Sequence, residues 1–140
     1  MDKSKTCCFF GHRKIEENAE VRKKLVNTVE DLILTKNVDT FLFGSKSQFN
    51  DLCKKVLIVL KEKYPHIMRI YVRAEFQYID DDYKAYLLRT CDDTYYPEKI
   101  SKAGKATYLE RNYEMIDKSD YCIVYFNEEY VPPMRKNSKF

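Results

Sequence analysis

Short runs of apolar residues alternate along the chain with longer segments that mix apolar and polar residues. The short runs are rich in β-branched and aromatic side chains, which is typical of buried strands. They predict strands over residues 6–10, 40–43, 67–72 and 121–126, the last being the most apolar. Short buried strands separated by longer segments are the pattern of an α/β protein.

The longer segments carry their apolar residues at helical spacing. A helix is predicted over residues 17–35 and another over residues 47–63, because apolar side chains recur every three or four positions in both. Pro65 ends the second of these helices. Residues 37–39, between the first helix and the second strand, are predicted to form a turn.

The second half of the chain has a less regular pattern. It predicts a helix over residues 80–91, a short edge strand over 95–97, a loop over 99–105 and a helix over 107–118. In this last helix, Leu109, Tyr113 and Ile116 recur at spacings of four and three. That spacing predicts that the three side chains face the core.

These elements predict one domain over residues 1–130, followed by a basic tail over 131–140. Strands that alternate with helices form a parallel sheet with helices on both faces, so we expect a Rossmann-like three-layer sandwich. The apolar first, third and last strands are predicted to be covered on both faces.

Composition narrows the classes of function. The 140 residues are 44% hydrophobic and 34% charged, as expected of a folded domain. The 25 basic and 22 acidic residues are interspersed and give a net charge of +3, which argues against duplex nucleic acid as a partner. The longest aliphatic run, residues 56–60, is too short to cross a membrane, and no signal-peptide pattern opens the chain. The expected location is the cytoplasm.

Cysteine spacing argues against a metal centre. The five cysteines form no CxxC pair and no cluster with histidine, which also argues against a secreted disulfide framework. Cys7 and Cys122 lie in apolar runs and are predicted to be small core residues.

The chain has only three glycines, and two of them follow predicted strands. Gly11 follows the first strand and Gly44 the second. Ligands of open α/β sheets bind beyond the carboxyl ends of the strands, and glycine lets a ligand approach the backbone. Both residues are therefore candidates for a binding crevice. Gly104, in a predicted loop, is expected to form a plain turn.

Polar residues follow Gly44 at the predicted start of the second helix. Ser45 and Ser47 supply hydroxyl groups and Lys46 a cation, beside the N–H groups of the helix N-terminus. This combination favours an anion, in particular a phosphate. The residues are equally consistent with a serine that caps the helix and a glycine that only turns the chain. Neither a GxGxxG motif nor a P-loop motif is present.

Further polar side chains are expected at the same edge of the sheet. His12 and Arg13 follow the first strand, and Arg73 and Glu75 follow the third. The convergence of three strand ends that carry such residues favours a binding site. The alternative for His12 and Arg13 is an exposed polar turn.

The late helix adds two candidates. Arg111 is suited to clamp a phosphate, and Asn112 to hydrogen-bond a base or ribose. The alternative is a solvated helix face. The twelve tyrosines permit base stacking, but most occupy apolar-periodic positions and are predicted to be half-buried core residues.

Several of these segments together resemble a known family. Residues 8–13, Cys-Phe-Phe-Gly-His-Arg, resemble the opening C-F-x-G-H-R strand and turn of YpsA-like proteins in the SLOG superfamily. That superfamily includes the LOG proteins and the Rossmann domain of DprA. The resemblance continues through residues 43–50 and 64–67 and through the Arg-Asn-Tyr…Ser-Asp block at 111–120, so it covers nearly the whole chain.

The resemblance implies a Rossmann-like fold that binds a nucleotide or a nucleotide-derived ligand. ADP-ribose, NAD and nucleoside monophosphates are the ligand types that it suggests, and it implies no required cofactor. No enzymatic activity is firmly established for the YpsA branch. The first interpretation is therefore a nucleotide-binding or nucleotide-sensing module without catalysis.

The chain departs from the family pattern at two places. Gln48 and Asn50 stand near positions where YpsA-like proteins carry acidic residues. An amide can hydrogen-bond a ribose or base, so both are candidate ligand contacts, but it cannot act as a general base. YpsA-like proteins also typically continue into a glycine-containing phosphate loop, a helix and a last strand, which this sequence lacks. Relative to that family, the sandwich is therefore expected to be truncated or shortened at its C-terminus.

Three alternatives to a binding module remain open. An enzyme that cleaves an N-glycosidic bond, as LOG phosphoribohydrolases do, would need Glu75 or Glu110 as its acid. Single-stranded nucleic-acid binding, by analogy with DprA, is disfavoured by the small net charge. A degenerate scaffold would act through protein contacts, and an incompletely covered sheet would favour a homo-oligomer or another partner.

Overall fold

The structure, a computed structural model, describes residues 5–44 and 47–126. The predicted basic tail over 131–140 and the predicted C-terminal shortening lie outside the described residues.

The described chain folds into a parallel five-stranded sheet with helices on its two faces. The strands are β1 Lys5–Gly11, β2 Val38–Phe43, β3 Met68–Val72, β4 Asp93–Tyr95 and β5 Tyr121–Tyr125, in the order β4-β3-β2-β1-β5. The helices are α1 Ala19–Thr35, α2 Gln48–Lys63, α3 Asp81–Leu87 and α4 Thr107–Asp117. Every strand pair is parallel, so the predicted Rossmann-like α/β sandwich is confirmed.

Helices α1 and α2 cover one face of the sheet, with their apolar residues buried as the periodicity predicts. Leu25, Val29 and Ile33 of α1 join the core, and so do five residues at helical spacing in α2: Leu52, Cys53, Val56, Leu57 and Leu60. Both helices start at side-chain caps, Asn18 for α1 and Ser47 for α2. A buried apolar stripe and a defined N-cap explain why these two helices were predictable.

Strand β2 begins earlier than the sequence predicts. Val38 is fully buried and pairs with Lys5 of β1, so it belongs to the sheet and not to a turn. The change of direction is confined to Asn37, whose φ is 58°. Asparagine tolerates this left-handed conformation better than most residues, which makes so tight a reversal feasible.

The region around β4 also differs from the prediction. Helix α3 ends at Leu87 and not at residue 91, and β4 covers residues 93–95 and not 95–97. Asp92 explains the shift, because its N–H donates to the Arg69 carbonyl (2.7 Å) and its carboxylate accepts from the Arg69 backbone N–H (2.8 Å). These bonds align the following residues with β3. The predicted loop over 99–105 contains two short 3₁₀ helices, over residues 98–102 and 104–106.

Helix α4 lies on the other face of the sheet, and it is rotated relative to the prediction. Leu109, Tyr113 and Ile116, which were predicted to face inward, are 52%, 47% and 48% exposed. Met115 is buried instead, and it packs against Cys8, Leu42 and Val72. The polar residues Arg111 and Glu114 are buried together with Met115.

The third and last strands were predicted to be covered on both faces, and Cys122 was predicted to be a core residue. These predictions are wrong for the face of the sheet that carries α4. Cys122 and Val124 on β5 are exposed, and Met68 on β3 is 40% exposed. Strand β5 is the edge of the sheet among the described residues, and its apolar side chains at 122 and 124 point to the side that carries α4. A strand buried on both faces and an edge strand covered on one face share the same apolar sequence, so the pattern alone did not separate them.

The buried Glu114 of α4 is held by a network of side chains. The Glu114 carboxylate accepts from the Tyr95 hydroxyl (3.1 Å) and lies 3.0 Å from the Lys118 ammonium and 3.5 Å from that of Lys99. Burial acts to raise the pKa of Glu114, but the hydrogen bonds from Lys118 and Tyr95 outweigh it and hold the pKa below its ordinary value. The charged form is therefore stabilised, and it ties α4 to β4.

A second network gives a prediction about stability and pH. The Asp92 carboxylate accepts from the Arg69 side chain at 3.0 and 3.3 Å and lies 3.4 Å from the Lys61 ammonium. Burial acts to raise the pKa of Asp92, but the Arg69 hydrogen bonds and the two cations hold it below its ordinary value of 3.8. The carboxylate thus contributes stability above about pH 4, and this contribution is lost as the pH falls through the lower folded-state pKa.

We expect Asp92→Asn to lower the free energy of unfolding by about 2 kcal/mol at pH 7, the scale of a hydrogen bond to a charged group. The deficit should shrink as the pH falls below about 4, because the native carboxylate then loses its charge. Urea unfolding from pH 7 to pH 3 measures both effects. Asp31→Asn, at an exposed position of α1, is the control. A deficit that is equally large at pH 3 and pH 7 would contradict the ionic origin.

Candidate functional site

A cavity of about 530 Å³ opens at the carboxyl edge of the sheet, between the ends of β1, β2 and β3 and the first turns of α4. Its volume lies within the range of small-molecule sites. Seven of the predicted site residues line it: Gly11, Arg13, Gly44, Ser47, Glu75, Arg111 and Asn112. The lining also includes Phe10, Tyr71, Ala74 and Tyr108. We call this cavity the Gly11/Gly44 crevice.

Gly44 is required by close packing within the protein. A Cβ atom on Gly44 would lie 2.6 Å from the Val72 carbonyl oxygen and 3.1 Å from Cδ and Nη1 of Arg111. Its φ is not in the left-handed region; among the described glycines only Gly104 has a positive φ, of 59°. The absence of a side chain at Gly44 therefore lets β2 and β3 close up and lets Arg111 reach the end of β2.

Gly11 has a similar role on the other side of the crevice. A Cβ atom there would lie 2.5–2.6 Å from Cβ, Cγ and Cδ2 of Phe49, near the start of α2. Phe49 is 3% exposed, so it has little room to move away. At both glycines the space beside the backbone is filled by the protein's own atoms.

Arg111 is the central side chain of the site. It is 4% exposed, its Nη1 donates to the Gly44 carbonyl (2.6 Å), and its Nε donates to Oδ1 of Asn112 (3.0 Å). Within residues 5–44 and 47–126, no carboxylate forms a salt bridge with it and no acceptor is bonded to Nη2. Burial lowers the pKa of Arg111, against the opposing effect of nearby Tyr71, Tyr108 and Glu75.

Two features of Arg111 point to an anion. A guanidinium has five N–H donors, and the described bonds use two of them. A buried charge is normally paired. The wall of the crevice therefore holds a positive charge with donors to spare.

Aromatic and acidic groups complete the wall near α4. The Tyr108 hydroxyl donates to Oε1 of Glu75 (3.3 Å), and its ring lies 5.7 Å from the guanidinium carbon of Arg111. Tyr71 lines the same crevice from β3. Neither Tyr71 nor Tyr108 was among the predicted site residues. The sequence position of Tyr108 could have indicated its role. Tyr108 lies three residues before Arg111 on α4, so both side chains lie on one side of the helix.

At the start of α2, the alternative in which a serine caps the helix is confirmed for Ser47. Its Oγ accepts from the Asn50 backbone N–H (3.1 Å) and side-chain amide (3.2 Å). The Gln48 N–H donates to the Arg13 carbonyl (2.8 Å). Two of the backbone N–H groups that were predicted to bind an anion thus form hydrogen bonds with protein atoms instead. Ser45 and Lys46, the other predicted members of this site, lie outside the described residues.

Four predicted contacts do not line the crevice. Asn50 is fully buried, and its Oδ1 accepts from the Gly44 N–H (3.3 Å); the exposed Gln48 accepts from the Ile15 N–H through Oε1 (2.9 Å). Both amides therefore stabilise the loops around the crevice. Neither side chain is an acid. Neither lines the crevice, so neither is placed to contact a ligand bound there directly.

His12 and Arg73 also lie elsewhere. The His12 ring packs edge-to-face with Tyr125 and against Phe126, at centroid distances of 5.9 and 5.6 Å. The Arg73 side chain donates through Nη1 to the Phe76 carbonyl (2.8 Å), which holds the loop after β3. Burial lowers the pKa of Arg73. The edge of the sheet was predicted correctly for both residues, whereas the direction of their side chains was not.

The site combines three chemistries. Arg111 and Arg13 offer positive charge, Tyr71 and Tyr108 offer aromatic surface, and Glu75 offers a hydrogen-bond acceptor. Such a set suits a ligand that has an anionic part, a flat part and hydroxyl groups. In the described part of the chain, no group of three or more His, Cys, Asp or Glu side chains could hold a metal ion.

Comparison with known proteins adds no assignment. No protein-family model matches the chain, and no curated protein matches its sequence. The described helices include none that is long and apolar enough to cross a membrane. The resemblance to YpsA-like proteins therefore stays a prediction from residues 8–13 and 111–120, and the assignment of function depends on the crevice.

Proposed function

We propose that this protein binds a nucleotide or a nucleotide-derived anion in the Gly11/Gly44 crevice. The observation that carries the proposal is Arg111, a buried guanidinium in the wall of a 530 Å³ cavity with no carboxylate partner among the described residues. A buried charge without a salt-bridge partner is costly, and a bound anion would offset that cost. YpsA-like proteins, which the sequence resembles, would bind the same class of ligand.

A phosphate would lie next to Arg111. Nη1 of Arg111 donates a hydrogen bond to the Gly44 carbonyl, and this bond fixes the plane of the guanidinium at the end of β2. Guanidinium groups bind phosphate oxygens through paired, charge-assisted hydrogen bonds. Arg13, exposed at the opposite side of the same crevice, would add a second cation.

The base and ribose would lie toward Tyr108. This side chain is 53% exposed and its ring borders the crevice, so a base can stack on it. Glu75, held by the Tyr108 hydroxyl, would accept hydrogen bonds from ribose hydroxyls. The Asn112 amide group can donate, since its Oδ1 already accepts from Arg111.

The test is calorimetric titration with AMP, ADP-ribose and NAD, with adenosine as the uncharged comparison. We expect the phosphorylated ligands to bind and adenosine to bind much more weakly, because Arg111 contributes through charge. Equal affinity for AMP and adenosine, or no heat with any of the four compounds, would contradict the proposal.

Tyr108→Ala is expected to weaken nucleotide binding about tenfold, because stacking of a base on an aromatic ring contributes about 1–3 kcal/mol. The same titration measures the loss. Tyr86→Ala is the matched control, since Tyr86 is 61% exposed on α3 and does not line the crevice. If both variants bind as tightly as the native protein, the base does not lie on Tyr108.

Hydrolysis of an N-glycosidic bond is a second candidate function, because Glu75 lines the crevice. Glycosidic hydrolysis generally uses two carboxyl groups, and Glu75 is the one acidic residue among the described residues of the lining. This arrangement favours binding over cleavage. Chromatography for free base after incubation with nucleoside monophosphates and NAD distinguishes the two, and a product that disappears in Glu75→Gln would establish the enzyme.

A further inference from the structure

A patch of apolar side chains lies exposed on the face of the sheet that carries α4. It consists of Leu109, Tyr113 and Ile116 on α4 and Val124 and Phe126 at β5, which we call the α4–β5 face. Their exposed fractions are 52%, 47%, 48%, 61% and 71%. Single exposed apolar residues are ordinary, but several exposed on two neighbouring elements are typical of an interaction surface.

The sheet register places Val124 of β5 on the same side as α4. Cys8 pairs with Cys122 and Phe10 with Val124 in the parallel ladder, so each pair projects to one face. Cys8 and Phe10 belong to the cluster that Met115 of α4 covers. Val124 therefore projects to the side of the sheet on which α4 lies.

Leu109 and Ile116 lie on the side of α4 nearer β5, and Tyr113 lies on its outer side. Glu114 contacts Tyr95 of β4, which is the edge strand opposite β5. Ile116 lies two positions after Glu114, about 200° around the helix, so it points away from β4 and toward β5. Leu109, Tyr113 and Ile116 are spaced at i, i+4 and i+7, the stripe by which one helix packs on another.

The size of the patch fits a dimer. With about 200 Å² for a whole aromatic side chain and somewhat less for an aliphatic one, the exposed fractions correspond to about 500 Å² of apolar surface. A stable interface buries about 800 Å² on each partner, of which about 65% is apolar in homodimers. The patch thus supplies the apolar area that one half of a homodimer interface needs.

Charge is compatible with self-association. None of the five side chains of the α4–β5 face is charged, so burying them in an interface removes no charge from water. In a two-fold dimer each copy presents the same patch, and an apolar stripe on one α4 packs against the identical stripe on the other. We propose that the α4–β5 face is the interface of a homodimer formed by two copies of this chain.

Analytical ultracentrifugation of the full chain over a range of concentrations tests the proposal. We expect the native protein to sediment with the mass of two chains. Ile116→Lys should raise the dimer dissociation constant at least a hundredfold, because it places an unpaired charge in the interface from each copy. Val124→Lys, on the strand half of the face, should do the same.

Leu34→Lys is the control, because Leu34 is 64% exposed but lies on α1, on the opposite face of the sheet. It should leave the dimer intact, and thermal unfolding should show that all three variants stay folded. A native protein that is monomeric throughout would overturn the proposal, as would a dimer that both lysine variants on the α4–β5 face leave unchanged. If the native protein is a monomer and Ile116→Lys lowers its melting temperature, the α4–β5 face packs against another part of the same chain. That result would also overturn the proposal.

Discussion

Replacing Gly44 by alanine is expected to lower the free energy of unfolding by about 3 kcal/mol, the upper range for inserting an atom into a well-packed region. The new Cβ atom would lie 2.6 Å from the Val72 carbonyl oxygen, which is backbone of β3 and cannot move aside alone. It would also lie 3.1 Å from the Arg111 side chain. The variant should therefore lose affinity for the ligand as well as stability.

Urea unfolding followed by circular dichroism measures the change in stability. Gly104→Ala is the matched control: Gly104 has a φ of 59°, and no atom lies within 4 Å of an added Cβ. That variant carries conformational strain alone, which costs about 1–2 kcal/mol. If Gly44→Ala destabilises the protein less than Gly104→Ala does, close packing at the end of β2 is not what requires the glycine.

Replacing Arg111 by methionine is expected to weaken nucleotide binding about a hundredfold, the loss of two charge-assisted hydrogen bonds of about 1.5 kcal/mol each. Methionine keeps much of the side-chain volume but removes the charge and every donor. The Gly44 carbonyl then loses its 2.6 Å hydrogen bond, so a smaller loss of stability should accompany the loss of affinity.

Calorimetric titration with AMP, on protein shown to be folded by circular dichroism, measures this effect. Arg111→Lys separates charge from geometry, because an ammonium cannot bond to Gly44, Asn112 and a phosphate in the plane that the guanidinium uses. We expect it to recover only part of the affinity. Arg22→Met, at an exposed position of α1, is the control. Native affinity in Arg111→Met would show that the anion lies elsewhere.

Helices α2 and α4 show how far sequence patterns carry the fold. In α2 the apolar stripe predicted the buried side, because an apolar stripe of five positions has only the core to cover it. In α4 the same kind of stripe lies outward, while Arg111, Glu114 and Met115 face the sheet. Groups from distant segments, the Gly44 carbonyl and the Tyr95 hydroxyl, form hydrogen bonds with two of these inward polar side chains. Helical periodicity contains no information about such partners.

The candidate site divides in the same way. Gly11, Gly44 and Glu75 were correctly predicted to lie at one edge of the sheet. They follow predicted strands, and parallel strands all have their carboxyl ends at the same edge. Side-chain direction was not predictable for His12, which packs on Tyr125, or for Asn50, which bonds to Gly44. Both directions depend on neighbours that are 113 and 6 positions away in the sequence. Tyr108 enters the site only because α4 lies across the ends of the strands.

The sequence by itself determined the alternation of strands and helices, the parallel sheet and the edge at which polar residues gather. These follow from local periodicity and from the fact that apolar stripes must be buried. The tertiary structure alone decided which face of α4 is buried, which side chains line the crevice and why two glycines are needed. Those properties depend on contacts between residues far apart in the chain, such as Arg111 with Gly44, and no local pattern records them.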